Sequence, residues 1–272
     1  MTYALLPRFV VDALGIQTSY YEVGQGKGRP TLLLHGMSTS ADSYRELLHE
    51  LGDWHWLVAP DLPGFGYSDH TTPYTIPHLV EWLAAFCDVR GFDRVNVVGH
   101  SFGGLLATSF VLAYPENNDR LLLSAPAILN LDYPEFLLKA GISLGLVDLG
   151  TAVTQSPLWV NRQIKVPFHN PASIDNSIWE RRLRDYGNAR ATADVIKAVA
   201  AHDVWQALAR LHHPLCIVWG ENDPILPISG VDALAELFPE AQIHRFANCG
   251  HEPMLEQQAA FHAVAHQFLS KK

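Results

Sequence analysis

The chain has 272 residues, 48% of them hydrophobic, and a formal net charge of −9 with the histidines counted as neutral. This length suits one large α/β domain, or one domain with a sizeable insertion. The acidic balance and the lack of a basic run in the sequence argue against a nucleic-acid or anionic-membrane partner.

The sequence predicts a cytoplasmic protein. Residues 1–11 show no positive segment followed by a long apolar core, and no apolar run in the chain is long enough to span a bilayer, so neither a signal peptide nor a membrane partner is expected. The three cysteines, Cys87, Cys216 and Cys249, lie far apart, which favours free thiols. A cysteine nucleophile at Cys249, close to His251, is a minor alternative.

The pattern of apolar residues in the first half of the chain predicts alternating strands and helices. Residues 9–12 and 17–23 are expected to form two antiparallel strands around Gly15, and the apolar run 31–34 is typical of a strand buried on both faces. Further strands are predicted at 56–59, 95–98 and 120–124, with helices at 44–51, 76–88 and 105–114. Such alternation predicts a parallel sheet with right-handed crossovers.

This alternation stops between residues 127 and 210, where helical patterns occur with prolines and aromatic residues but without a convincing strand. A helical cap inserted between two strands, with its apolar face walling a pocket, fits this segment. Strands and helices alternate again afterwards, with strands at 214–219 and 242–246 and helices at 231–238 and 254–269. We therefore expect a core formed by residues 1–126 and 211–272, and a cap formed by residues 127–210.

A predicted strand leads directly into the sequence Gly99-His100-Ser101-Phe102-Gly103-Gly104, which a helical pattern follows. In a Gly-x-Ser-x-Gly turn of this kind the serine adopts a strained conformation that exposes its hydroxyl, and the glycines allow strand and helix to approach closely. Backbone N–H groups at the helix start then stabilise negative charge nearby. This pattern predicts a nucleophilic Ser101; a glycine-rich turn with an inert serine is the alternative.

The loop after residues 31–34 reads His35-Gly36-Met37-Ser38, and its place beside the serine turn lets the Met37 backbone N–H serve as a second oxyanion donor. His35 is a candidate substrate-binding residue, although we expect its imidazole to bond the loop backbone. Trp159 and Trp179 in the predicted cap are further candidates for substrate binding, with plain helix packing as the alternative.

For several charged side chains and histidines, a structural role is expected rather than a catalytic or metal-binding one. Asp61 and Asp69 are expected to cap backbone N–H groups in their loop rather than to act as catalytic acids. His262 and His266 are one helical turn apart, but without a visible third ligand no metal is predicted. A basic patch in the cap is expected to be a solvated face, with one inward-turned arginine for a substrate carboxylate as the alternative; it contains Arg181, Arg182, Arg184 and Arg190.

Three candidate groups follow predicted strands in the order Ser101, Asp223, His251, at the sheet edge where α/β proteins place ligands. With them, the sequence resembles the α/β-hydrolase family over essentially its full length. The matching motifs are His35-Gly36-Met37, the loop from Asp61 to Ser68, Gly99 to Gly104, Gly220-Glu221-Asn222-Asp223 and Gly250-His251-Glu252-Pro253. The resemblance implies a mostly parallel, eight-stranded sheet with helices on both faces and an inserted helical cap.

The resemblance also implies a mechanism. Ser101 attacks a carbonyl carbon, His251 accepts and later returns a proton, and Asp223 holds the imidazole, while the N–H groups of Met37 and Phe102 form the oxyanion hole. No metal or organic cofactor is needed. A serine, rather than an aspartate, at this turn favours acyl transfer from a small-molecule substrate.

We therefore expect a carboxylesterase-type serine hydrolase for small to medium acyl chains. Carbon–carbon bond hydrolases of meta-cleavage products are an alternative, although they usually have Asn and Trp where His100 and Glu252 stand. A cofactor-free perhydrolase or haloperoxidase is another, although Met is typical at the position of Phe102. A receptor-like protein that retains the triad is the non-enzymatic alternative. The oligomeric state, monomer or homodimer, is left open.

Overall fold

The computed structural model describes residues 5–128 and 142–271, and their strands form one sheet. The strands are β1 (Arg8–Ala13), β2 (Ile16–Val23), β3 (Thr31–Leu34), β4 (Leu57–Pro60), β5 (Val95–His100), β6 (Asn118–Ser124), β7 (Leu215–Gly220) and β8 (Gln242–Phe246). Their spatial order is β1-β2-β4-β3-β5-β6-β7-β8. Strands β3 to β8 are parallel, and β2 is antiparallel to both its neighbours. The predicted eight-stranded, mostly parallel sheet is confirmed.

The helices pack on both faces of this sheet or lie between β6 and β7. They are α1 (Arg45–Leu51), α2 (Ile76–Arg90), α3 (Phe102–Ala113), α4 (Leu146–Thr154), α5 (Val160–Gln163), α6 (Asn176–Asn188), α7 (Thr192–Ala200), α8 (Ser229–Leu237), α9 (Pro253–Glu256) and α10 (Gln258–Leu269). The helix predicted at 254–269 is divided into α9 and α10 because Gln257 leaves the helical region, with φ −130° and ψ 57°. None of the helices within the described residues is long and apolar enough to cross a membrane.

Two apolar layers hold the sheet between the helices. In β3, Leu32 and Leu34 face a cluster with α2, α3 and α8, whereas Leu33 faces a second cluster with α1 and α10. This alternation follows from the two-residue period of a strand. Full burial of one leucine side chain stabilises by roughly 1.5–3 kcal/mol relative to exposure. The unbroken apolar run of β3 is therefore what a strand covered on both faces requires.

Between β6 and β7 the structure describes residues 125–128 and 142–214, and residues 142–210 contain α4 to α7 without a strand. We call residues 142–210 the insertion. Helices α4 and α5 contain no buried residue, whereas α6 buries Ile178, Arg181, Arg182 and Asp185. Residues 129–141 of the predicted cap lie outside the described residues. Within the insertion, α6 is thus packed on the core, as is α7, which buries Thr192, Val195 and Ala198.

Candidate active site

Ser101 occupies a strained turn between β5 and α3, with φ 51° and ψ −118°. A non-glycine residue rarely adopts positive φ, and such strain persists only where the surroundings enforce it. Here a Cβ on Gly99 would lie 2.5 Å from the Gly103 carbonyl oxygen. The Ser101 N–H also donates to the Ser124 carbonyl at 3.0 Å. The strained serine turn predicted from the glycine pattern is therefore confirmed.

Asp223 and His251 follow the neighbouring strands β7 and β8 and meet at their ends. Nδ1 of His251 lies 2.7 Å from Oδ2 of Asp223, and both side chains are nearly inaccessible to solvent. The other oxygen of Asp223 accepts the N–H groups of Ile225 at 2.7 Å and Leu226 at 2.9 Å. Because the carboxylate binds the Nδ1 proton, Nε2 of the neutral imidazole is left as the basic nitrogen.

The imidazole of His251 packs against the ring of His100, the residue before Ser101, with 4.8 Å between ring centroids. This contact places the histidine beside the serine turn. In the described part of the chain no hydrogen bond joins the Ser101 hydroxyl to His251. Such bonds are often long in unliganded hydrolases and tighten when the substrate binds. Ser101, Asp223 and His251 therefore lie in one region of the structure, without a hydrogen bond between the serine and the histidine.

The loop after β3 packs closely on the serine turn. A Cβ on Gly36 would come within 3.0 Å of Cδ2 of His100 and 3.4 Å of Cβ of Ser101. Met37 is the next residue of this loop, and Phe102 is the first residue of α3. Neither of their backbone N–H groups donates to an acceptor within residues 5–128 and 142–271. Both N–H groups are thus without an acceptor within these residues, as the predicted oxyanion role requires.

The His35 side chain belongs to the framework of the loops. It is completely buried, its Nε2 accepts the Leu62 N–H at 2.9 Å, and its Nδ1 therefore donates to the Gly36 carbonyl at 2.8 Å. Burial lowers the pKa of His35, so the ring is neutral. The expected backbone bonding is confirmed, and the assignment of His35 to substrate binding is wrong because both ring nitrogens are already used.

A cavity of about 340 Å³ lies between the insertion and the loop after β3. Met37 and Ser38 form its wall on the core side, and the part of the insertion from α4 to α7 contributes the rest, including Leu146, Gly150, Tyr186 and Ile196. A larger cavity of about 480 Å³ lies at the opposite edge of the sheet, beside Trp54 and Lys271. Only the smaller of these two cavities adjoins a residue of the candidate site.

Neither candidate tryptophan is among the described residues that line this cavity. Trp179 packs edge to face on Phe168, with 5.0 Å between centroids, and Lys165 lies over its ring. Trp159 precedes α5 and is 44% exposed. Packing therefore accounts for Trp179, and the structure does not bring Trp159 to the site.

The basic patch of the insertion is only in part the solvated face expected from the sequence: Arg184 and Arg190 are exposed, whereas Arg181 and Arg182 are buried. The contacts pair Arg181 with Glu46 (2.5 Å), Arg182 with Glu252 (2.9 Å), Arg184 with Asp42 (2.5 Å) and Arg190 with the Ser68 carbonyl. For Arg181 and Arg182 the expectation was wrong, because their partners come from distant parts of the chain. These guanidinium groups tie the insertion to the core rather than facing the cavity.

Glu252 is a buried group of the site to which the sequence analysis gave no role. Its Oε2 lies 3.5 Å from Nε2 of His100, whose Nδ1 contacts the Ser124 carbonyl at 3.0 Å. Burial alone would raise the pKa of Glu252, but Arg182, His100 and His251 lower it to about 2. Burial lowers the pKa of His100 to about 4. The sequence offered one signal for Glu252, its position directly after His251. Its partner Arg182 lies 70 positions away, so the sequence could not indicate the pair.

The remaining candidates have structural roles. Asp61 accepts the N–H groups of Ala41 and Tyr67 and pairs with Arg8, as expected for a loop-capping carboxylate. Cys87, Cys216 and Cys249 are free and buried, and burial raises the pKa of Cys249 well above its usual value, which disfavours a thiolate nucleophile. Within the described residues, no group of three or more potential ligands could hold a metal.

The sheet order, the strained serine turn and the histidine–carboxylate pair at the carboxyl edge of the sheet are those of an α/β-hydrolase. A family model described as "alpha/beta hydrolase fold" matches residues 30–258. The chain belongs to this family.

Relatives within the family include two kinds of hydrolase. A 2-hydroxy-6-oxo-2,4-heptadienoate hydrolase from Pseudomonas putida is 28% identical over 96% of this chain and 95% of its own length. Lipase 1 from Psychrobacter immobilis is 26% identical over 90% of this chain and 78% of its own length. A thermophilic esterase from Thermogutta terrifontis shares the fold, with a TM-score of 0.82, 22% identity and coverage of 97% and 98%. These matches support hydrolase activity and leave open which bond is cleaved.

Proposed function

We propose that the protein is a serine hydrolase that cleaves carboxylic esters of small to medium acyl chain through an acyl-enzyme intermediate. One observation carries this proposal: the Asp223–His251 pair lies beside the strained Ser101 turn at the carboxyl edge of the sheet. Arg181, Arg182 and Arg184 of α6 are already paired with carboxylates, which supports esters over substrates that need one of these guanidinium groups for a carboxylate.

In the proposed reaction, Oγ of Ser101 attacks the ester carbonyl carbon while its proton passes to Nε2 of His251. The carbonyl π electrons move to oxygen, where the N–H groups of Met37 and Phe102 stabilise the charge; one such donor is worth about 3 kcal/mol. When the tetrahedral intermediate collapses, the C–O bond breaks and the alcohol leaves with the proton from His251. Water then attacks the acyl-enzyme by the same steps and releases the acid.

The cavity beneath the insertion is the proposed site of the acyl chain. Its exposed lining is mainly apolar, and it touches the core at Met37, whose N–H is a proposed oxyanion donor. We place the acyl chain here because Met37 belongs both to the cavity wall and to the proposed oxyanion hole. A cavity of about 340 Å³ accommodates a chain of modest length, which favours short and medium esters.

The test is a panel of p-nitrophenyl esters from acetate to decanoate, assayed with the wild type, Ser101→Ala and the matched control Ser109→Ala in α3. Loss of the nucleophile is expected to lower kcat about 10⁶-fold, while the control retains activity. Equal turnover by the wild type and Ser101→Ala would refute the proposal. Labelling of Ser101 by a fluorophosphonate distinguishes an enzyme from a receptor-like protein, which would leave the serine unlabelled.

Hydrolysis of a carbon–carbon bond is the second candidate, because a relative named 2-hydroxy-6-oxo-2,4-heptadienoate hydrolase is 28% identical along nearly the whole chain. A substrate of that class carries a carboxylate, which calls for a free cationic group. The assay follows the absorbance of a 2-hydroxy-6-oxodienoate with the same variants. A kcat/KM on this compound above that on every ester would replace the ester proposal with this one.

A further inference from the structure

Glu252 places an unpartnered carboxylate oxygen deep beside the proposed catalytic histidine. The residue is 2% exposed. Its Oε1 accepts a hydrogen bond from Nη1 of Arg182 on α6 at 2.9 Å. Its Oε2 is buried, has no hydrogen-bond donor within the described residues, and lies 3.5 Å from Nε2 of His100. One half of this carboxylate is thus satisfied, and the other faces the His100–His251 ring pair.

A buried carboxylate oxygen without a donor is costly and needs a physical reason. His100 does not supply one at rest. Its Nδ1 lies 3.0 Å from the Ser124 carbonyl, an acceptor only, so the single proton of the neutral ring is on Nδ1. Nε2 then presents a lone pair to Oε2. In the resting site, Oε2 of Glu252 therefore carries negative charge near His251 and receives no hydrogen bond from the residues that the structure describes.

We propose that Glu252 is a positioning residue whose unpartnered Oε2, acting across His100, stabilises the positive charge that His251 acquires when it accepts the Ser101 proton. This inference rests on the proposed function. The interaction is stronger with the imidazolium than with the neutral ring, so it favours the transition state over the resting state. Asp223 fixes the tautomer on one side of the imidazole, and Glu252 adds a second negative charge on the side of His100.

Other groups contribute to the electrostatics of this pair. Asp223 acts from the loop after β7, and Arg182 acts from α6 through Oε1, not through the oxygen that faces His100. The titratable side chains that also interact with Glu252 are His35, Tyr44, Tyr186 and Cys249. Loss of the Glu252 charge leaves Arg182 and weakens the negative field, so it must lower the pKa of His251.

The experiment is an NMR titration of the His251 imidazole in the full chain, with its signal identified by its loss in His251→Gln. Glu252→Gln should lower the titration midpoint by roughly 0.5–1 pH unit. The matched control is Glu46→Gln, which removes another buried carboxylate paired with an α6 arginine, Arg181, and should leave the midpoint unchanged. The acid limb of the kcat/KM profile should move in the same direction as the midpoint.

A double variant provides a second measurement in case Glu252→Gln alone does not fold. Glu252→Gln with Arg182→Met buries no unpaired guanidinium, and its midpoint should also fall, by less than in the single variant. An unchanged or raised midpoint in whichever of these variants folds would overturn the role of Glu252, whether or not the protein hydrolyses esters. A lowered midpoint in a protein without ester turnover would support this electrostatic role and refute the proposed function alone.

Discussion

Asp223 contacts His251 through Oδ2, 2.7 Å from Nδ1, while its Oδ1 is fixed by two backbone N–H groups. This division leaves the carboxylate little freedom to rotate, so the imidazole is held in one orientation. Two acceptors are required, one for the backbone and one for the Nδ1 proton. An amide in place of the carboxylate offers only one acceptor.

Asp223→Asn should therefore lower kcat on a p-nitrophenyl ester by about 10⁴-fold, because the wrong histidine tautomer is favoured. The matched control is Asp232→Asn, which removes a surface carboxylate paired with Arg245 and should retain activity. Circular dichroism would show that both variants keep the fold. Activity of Asp223→Asn within tenfold of the wild type would contradict the role assigned to this pair.

The close approach of Gly36 to the serine turn gives a second prediction. A methyl group at this position would lie 3.0 Å from Cδ2 of His100 and 3.4 Å from Cβ of Ser101, so Gly36→Ala should displace one of them or shift the Met37 N–H. We expect kcat to fall by about 10²-fold, the effect of losing one oxyanion donor. Gly187→Ala is the control, since a methyl group there meets nothing within 4 Å. Equal kcat in the two variants would show that this packing is irrelevant.

Much of the fold could be predicted because its signals are local. The apolar runs of β3 and β5 predicted buried parallel strands, and the glycines around Ser101 predicted the strained turn. The order of Ser101, Asp223 and His251 at strand ends predicted one shared edge, because parallel strands place their carboxyl ends together. The distance between the hydroxyl and the imidazole depends on side-chain packing, which no local pattern determines.

The charges of α6 could not be predicted in this way. Arg181 and Glu46 are 135 positions apart, and Arg184 and Asp42 are 142 apart. A run of arginines on a helix is usually a solvated face, and only the tertiary fold supplies buried carboxylates opposite it. The candidate tryptophans failed for the same reason, since the sequence does not show which helix face meets the cavity.

Asp185, on the buried face of α6, predicts a pH dependence of stability. Burial, followed by the negative charge of Asp42, raises the pKa of Asp185 to about 7. In the unfolded chain its carboxyl group titrates near the ordinary value of about 4. Between these values the folded state holds the proton and the unfolded state does not, so stability falls as the pH rises through this range.

Asp185→Asn removes this penalty and should melt several degrees above the wild type at about pH 8, with little difference at about pH 4. Thermal unfolding by circular dichroism at both pH values measures the effect. Asp53→Asn, which alters a 92% exposed carboxylate, should show no comparable gain. A variant that is less stable than the wild type by the same margin at both pH values would mean that Asp185 is needed as a hydrogen-bonding group and not penalised as a buried charge.

The cavity under the insertion predicts a change in chain-length preference. Gly150 of α4 lines this cavity, and a Cβ there would meet nothing within 4 Å, so a leucine can enter without disturbing the helix. Gly150→Leu should lower kcat/KM for decanoate relative to acetate by roughly tenfold or more, because a misfit of one methylene in an apolar pocket is worth about 1–3 kcal/mol. Gly187→Leu makes the same change in a helical glycine outside the lining residues and should leave the ratio unchanged. If both variants keep the wild-type ratio, the acyl chain does not occupy this cavity.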